Sequence, residues 1–148
     1  MILRDFKVFN ASGRLLGLDW GARRTGVAIS DAEQRFVFAR DPIVSANSDE
    51  LIGKIIGLIA RENIAGIVIG LPLRMDGADS ETTAMVRAFA ENLSHATDLP
   101  IIFIDETLSS TAAQEEMGRV RVRDIKEKLD SNAARVILEN AISMMNRL

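Results

Sequence analysis

Two short runs constrain this chain most: Ile64–Gly70 and Pro100–Ile104 are apolar at nearly every position. A strand that alternates polar and apolar residues can leave one face in water. A strand apolar on both faces must be covered on both. The flanking sequence supplies the cover. Ser48 or Asp49 can cap a helix running to about Glu62, with Leu51, Ile52, Ile55, Ile56 and Ile59 on one face. Between the two runs, Ser80–Ser94 places Val86, Phe89, Ala90 and Leu93 at helical spacing. Strand and helix therefore alternate, which implies βα units with helices packed on a sheet.

Upstream the pattern changes. Leu15–Ser30 (LLGLDWGARRTGVAIS) reads as a hairpin: a strand Leu15–Trp20, a turn Gly21–Arg24, and a strand Thr25–Ser30 rich in small and β-branched residues. Phe36–Val44 reads as a third strand ending near Pro42. Three strands followed by βα units predict an α/β fold with a mixed sheet, an antiparallel meander extended by parallel strands, and helices on both faces. Leu71–Asp79 is a loop punctuated by Pro72 and Gly77, Ser109 or Ser110 caps a helix to about Met117, and Lys128–Arg147 is the last helix. With 148 residues the chain can build one core, so residues 1–148 are expected to be a single domain. Met1–Gly13 is expected to be a polar N-terminal extension, a short helix or a disordered arm.

Composition removes whole classes of chemistry. There is no Cys, so disulfides, thiolate metal sites and Cys nucleophiles are excluded together. A single His excludes imidazole-rich zinc sites. Any metal must be held by oxygen, which favours Mg²⁺, Mn²⁺ or Ca²⁺. No apolar run approaches the length of a membrane span, and Met1–Gly13 lacks the apolar core of a secretory signal. A soluble cytoplasmic protein without a membrane partner is the expectation. The net charge of −3 hides a basic run, Gly118–Lys128, with Arg119, Arg121, Arg123, Lys126 and Lys128 against Asp124 and Glu127.

Asp19 is the anomaly in this pattern, an acid in an otherwise apolar strand. Burying a lone carboxylate costs several kcal/mol or leaves it protonated, so Asp19 needs a partner. Sites in such sheets lie beyond the carboxyl ends of the strands, where the Asp79 loop and the pair Asp105-Glu106 are expected. Asp130 shares a stripe with Ala134, Ile137, Leu138 and Ala141, which aims it at the sheet from the first turn of the last helix. Pattern alone leaves two readings of Asp130 open, an ordinary N-cap or a site acid. Three acids on three element ends suggest hard-metal binding, as in sites where two ions about 3.5–4 Å apart clamp a phosphodiester.

Taken together, LLGLDWGARRTGVAIS (15–30), IVIGLPLRMDGADS (67–80), IIFIDETLSS (101–110) and KLDSNAARVILENA (128–141) resemble the YqgF-type family of Holliday junction resolvase-like and pre-16S rRNA nuclease proteins. The four motifs stand in the family's order and spacing and span nearly everything from Leu15 onward. The resemblance implies a ribonuclease H-like fold and a nuclease that hydrolyses structured nucleic acid with Mg²⁺ or Mn²⁺. The family's catalytic acids map to Asp19, Glu106 and Asp130, all three as metal ligands. Arg23 and Arg24 in the turn, Arg74 in the Gly-Leu-Pro loop, and Arg119, Arg121, Arg123 and Lys128 would contact nucleic acid. The basic run can equally be a solvated loop.

Two departures stand out. Thr107 follows the Asp-Glu pair where the family usually has Arg, and no fourth acid follows Asp130, where Ser131, Asn132 and Ala133 stand. Maturation of the 5′ end of pre-16S rRNA is the leading reading, with pre-rRNA as partner and a monomer or weak homodimer as the expected state. A resolvase for branched DNA and a non-catalytic RNA-binding ribosome-assembly factor are the alternatives. An ATP-binding module, suggested by the phosphate-loop look of DWGARRTG, would need a second domain around the nucleotide.

Overall fold

The computed structural model describes the backbone of residues 1–106 and 122–148, and the side chains of 1–106 and 132–148. In chain order the elements are β1 (Ile2–Leu3), β2 (Arg14–Asp19), β3 (Arg24–Ser30), β4 (Val37–Val44), α1 (Ser48–Glu62), β5 (Ile64–Leu71), α2 (Glu81–Ala96), β6 (Ile101–Asp105) and α3 (Val122–Asn146). They build one six-stranded sheet in the order β1-β6-β5-β2-β3-β4. The pairs β2·β3 and β3·β4 are antiparallel, and β2·β5, β5·β6 and β1·β6 are parallel. The expected mixed sheet, with a meander extended by βα units, is therefore present.

The alternation along each strand divides the core. Leu16 and Leu18 of β2, with Ile67 and Ile69 of β5, point to the layer made by α1 and α2. Leu15, Val68, Ile102 and Ile104 point to the opposite layer, where they meet Ala134, Ile137, Leu138 and Ala141 of α3. Both faces of the central strands are thus covered, as their composition requires. At about 25 cal/mol per Å² of apolar surface removed from water, this two-sided burial is the main favourable term for the sheet. Helix α3 approaches closely because Gly17 has no side chain. A Cβ there would stand 2.8 Å from Leu138 Cβ and 3.0 Å from the Ala134 carbonyl oxygen.

Glu62, at the end of α1, ties three elements together. Its carboxylate accepts from Arg14 of β2 and Arg40 of β4, each at 2.7 Å. The Arg40 guanidinium first, and then Arg14, holds this carboxyl below the usual Glu range.

Several expectations need correction. Met1–Gly13 is neither a helix nor a detached arm. Ile2 and Leu3 pair with Ile101 and Ile102 as a sixth strand, and Phe9 is buried in the α3 layer against Phe6. Its apolar residues are interrupted by Arg4, Asp5 and Lys7 and show no sustained period by themselves. The cap of α1 is Asn47, whose side chain accepts from the Glu50 N–H, one residue before the expected Ser48. Pro42 does not end β4. It sits at a bulge opposite Gly26, on an edge strand, where a missing N–H is tolerated. The last helix begins at Val122 and not near Lys128, so Asp130 stands inside it and not at its N-terminus. Asn132, two residues on, accepts from Arg135 Nε at 2.8 Å through its side-chain oxygen. The helix expected from Ser109 or Ser110 to Met117 lies outside the described residues.

Candidate active site at the carboxyl end of the sheet

The parallel strands β2, β5 and β6 end together. Asp19 is the last residue of β2, one step beyond the Leu18–Ile69 pair, where Gly70 stands on β5. On the other side of β5, Gly70 pairs with Ile104 and Leu71 with Asp105. Glu106 follows directly, and its N–H donates to the Leu71 carbonyl at 3.1 Å. This bond extends the ladder one step past β6 and fixes where the Glu106 side chain starts.

Strand parity sets the faces. Leu15 and Gly17 look toward α3, so Asp19, two residues on, does as well. Gly70 also looks toward α3, and a Cβ there would stand 3.3 Å from Glu106 Cδ and would overlap Ile137. The Glu106 carboxyl therefore lies over Gly70, on the same face as Asp19 and beside the same helix. Both acids are half-buried. Asp105, of opposite parity, is exposed and points away from that face, so Glu106 is the member of the acidic pair that meets Asp19's face. The sequence reading did not single out Gly70. A glycine interrupting an apolar strand was the available signal, since it often marks a close approach of another group.

Trp20, next to Asp19, packs on the α1–α2 side with its ring 6.5 Å from Phe89. Its neighbour Gly21 begins the turn. No Cβ fits there, because it would strike the Arg24 carbonyl. Arg23 and Arg24 follow, at the same end of the sheet as Asp19. Arg23 is exposed and its carbonyl accepts from the Ser45 N–H at 3.0 Å, whereas Arg24 is half-buried and opens β3.

The loop after β5 is a tight, internally bonded turn. Leu73 bridges Asp79, Arg74 N–H donates to the Ala78 carbonyl at 2.9 Å, and Gly77 N–H donates to the Arg74 carbonyl at 2.8 Å. Arg87 grips Asp79 through both carboxylate oxygens, at 2.9 and 3.2 Å. The buried Thr83 donates to the Pro72 carbonyl and joins Ser80 in a capping box that starts α2. Arg74 is thus held at the rim, exposed, with Asp76 3.8 Å away.

Asp130 lies in α3 two turns before Ile137, the residue against Gly70. Its side chain, like those of Arg123 and Lys128, is outside the described residues, as are Thr107, Arg119 and Arg121 entirely. Among the described residues no group of three or more acid or imidazole side chains is close enough to hold a metal. Asp19 and Glu106 are hard oxygen donors on one face, a set that fits Mg²⁺ or Mn²⁺ and does not fit a soft cation. Among the described residues no helix is long and apolar enough to cross a membrane.

A family model described as RuvX, Holliday junction resolvase, matches residues 13–144. The chain belongs to this family. A protein of Maridesulfovibrio salexigens named "Putative pre-16S rRNA nuclease" is 43% identical over 128 residues, covering 85% of this chain and 95% of that one. A protein of Pelagibacter ubique with the same name is 36% identical over 147 residues, 97% of each chain. Among solved structures, Thermus thermophilus RuvC in complex with a Holliday junction substrate superposes with a TM-score of 0.58 at 12% identity, over 90% of this chain and 96% of that one. The yeast mitochondrial resolvase Ydc2 gives 0.57 at 10% identity, over 96% and 83%. At such identities the likeness concerns the fold, and that fold is the ribonuclease H-like one expected from the motifs.

Proposed function

We propose that this RuvX-family chain is a divalent-metal-dependent nuclease that hydrolyses phosphodiester bonds in structured nucleic acid, and that its substrate is the 5′ end of the 16S rRNA precursor. The observation that supports the reading is the placement of Asp19 and Glu106 on one face at the sheet's carboxyl end, with Gly70 leaving room between them. The names of the full-length relatives favour rRNA as the substrate.

In this reading Asp19, Glu106 and Asp130 hold Mg²⁺ or Mn²⁺. The bound cation supplies Lewis-acid activation of water and neutralises charge on the phosphate. Gly70 keeps the floor of the site flat, so the Glu106 carboxyl can lie against the sheet. Arg23, Arg24 and Arg74 rim the same end and contact flanking phosphates, which fixes register without reading bases. Arg119, Arg121, Arg123 and Lys128 extend that contact along the substrate.

The test is cleavage of a labelled RNA spanning the mature 5′ end, beside a four-way DNA junction, each with Mg²⁺, Mn²⁺ or EDTA. Metal-dependent cutting of the RNA is expected. Asp19→Asn should abolish it while binding is kept or tightened, because a negative charge beside phosphate is removed. Symmetric cutting of the junction alone would move the assignment to a resolvase. Binding without any cutting would make the protein an assembly factor and give weight to Thr107 in place of the family's usual Arg.

A further inference from the structure

The loop that presents Arg74 has a poor charge balance for a phosphate contact. Leu71–Asp79 holds one cation, Arg74, against Asp76 and Asp79. Asp76 is occupied within the turn, where its carboxylate accepts the Ala78 N–H at 3.0 Å. Arg74 Nε stands 3.8 Å from it, beyond hydrogen-bond reach, and both side chains are mostly in water. The second acid is answered from outside the loop. Arg87 of α2 donates Nε and Nη2 to the two Asp79 oxygens, at 2.9 and 3.2 Å. This is a charge-assisted fork, which fixes direction as well as position.

On a helix the neighbouring acid for Arg87 is Glu91, four residues on. Glu91 faces His95 instead, at 3.4 Å. The Arg87 guanidinium is turned toward the loop and lies over the Phe103 ring of β6, 5.8 Å from its centroid, within cation–π range. Arg87 therefore joins three segments: α2, which carries it, β6, which leads into Glu106, and the far arm of the Arg74 turn. The Arg87 and Asp79 side chains are 47% and 50% exposed. Ion pairs so open to water add little to global stability. What this one secures is the position of the loop.

The route from Arg87 to Arg74 is short. Asp79 pairs with Leu73 across the turn. Arg74, next to Leu73, has both backbone groups bonded inside the same turn, its N–H to the Ala78 carbonyl and its carbonyl to the Gly77 N–H. Gly77 takes φ +82° there, a conformation that glycine adopts without strain. The entry arm is fixed by Thr83 on the Pro72 carbonyl and by the Glu106 N–H on the Leu71 carbonyl. The exit arm is held at Asp79 by Arg87.

We propose that Arg87 is a positioning residue for nucleic-acid binding: by clamping Asp79 it holds the 73–79 turn so that Arg74 meets a phosphate beside the Asp19 and Glu106 carboxylates. The proposal rests on the reading of Arg74 as a phosphate contact. Arg87 acts through Arg74 and makes no substrate contact of its own.

The test reads binding, by the anisotropy of the labelled RNA spanning the mature 5′ end and of a four-way DNA junction, in EDTA and again with Ca²⁺. Phosphate contacts do not read bases, so either ligand reports on the clamp. Asp79→Ala combined with Arg87→Ala removes the clamp and leaves the net charge unchanged. This double variant should bind about three- to tenfold more weakly, as loss of one hydrogen-bonded contact does, and as weakly as Arg74→Ala. The slope of log affinity against log salt should fall by about 0.7–0.9, the share of one phosphate. Adding Arg74→Ala to the double variant should change affinity by less than about twofold, because the three residues act as one unit. Arg87→Ala alone should bind more weakly than the double variant, since Asp79 is then an unanswered charge beside a phosphate. Arg87→Lys keeps the charge without the fork and should fall between the unaltered chain and the double variant. Urea midpoints of all these variants should stay close to that of the unaltered chain. A double variant that binds like the unaltered chain overturns the proposal. So does a further loss of about threefold or more on adding Arg74→Ala, which would give Arg87 its own contact, or a urea midpoint that falls in step with affinity. Failure of the nuclease reading shows separately, as an unaltered chain that binds and does not cut.

Discussion

Gly70 joins the core to the site, so Gly70→Ala tests both. The new Cβ would meet Ile137 Cγ1 at 3.2 Å, overlap the Ile137 terminal methyl, and stand 3.3 Å from Glu106 Cδ. Ile137 is fully buried and has little room to retreat. Overpacking of this size costs about 1–3 kcal/mol. Replacing glycine by alanine in regular structure returns about 0.5–1 kcal/mol of backbone entropy. The net expectation is a loss of about 1 kcal/mol, within a range of roughly 0–2.5 kcal/mol, read as a lower urea midpoint with unchanged slope. Ile137→Val removes the overlapping methyl at its own cost of about 0.5–1.5 kcal/mol. The double variant should therefore be more stable than the sum of the singles, with a coupling of about 1 kcal/mol. Cleavage should behave differently. The Cβ still presses on Glu106 in the double variant, so activity should stay low while stability recovers. Additive stabilities would refute the close approach of α3 to Gly70. Full activity in Gly70→Ala would refute the placement of Glu106 over it.

Three further outcomes are expected. Glu62 has its folded value depressed by Arg40 and Arg14, so its contribution is present above the ordinary Glu range and is lost as pH falls through the lowered folded value. Glu62→Gln should flatten that part of the acid limb in urea midpoints measured against pH. Thr83→Val leaves the Pro72 carbonyl without its donor and breaks the capping box. A loss of about 1–3 kcal/mol is expected, with faster proteolysis within residues 73–79. Changing Arg119, Arg121 and Arg123 together to Ala should weaken RNA binding and reduce the slope of log affinity against log salt by about 2, near 0.7 per lost phosphate contact on a single strand. An unchanged slope would remove those arginines from the interface.

Much of this protein is legible in its sequence, because each signal is local. Apolar runs at Ile64 and Ile101 need cover on both sides. The hairpin around Asp19 has its alternation written in it, and α1 and α2 show one apolar face each. Those patterns depend on residues a few positions apart, and they placed the elements within a residue or two. The family motifs likewise named Asp19, Glu106 and Asp130 without any geometry.

What the tertiary structure alone decided rests on contacts between distant segments. Ile2 and Leu3 become a strand only because β6 offers its edge, and Phe9 is core only because α3 covers it. Asp130, followed by Asn132, looks like a cap residue in isolation. Its helix continues back to Val122, and the cap reading fails there because the cap signal is too short-range to see the preceding turns. The family motif had already named Glu106; strand parity and the Leu71 carbonyl supply the physical reason that it, and not Asp105, shares Asp19's face. Gly70 became meaningful only when Ile137 and Glu106 arrived over it from more than thirty residues away. Sequence determines which surfaces must be buried. Only the packed sheet determines which glycine stands beneath the helix, and why Glu106 rather than its neighbour shares that face.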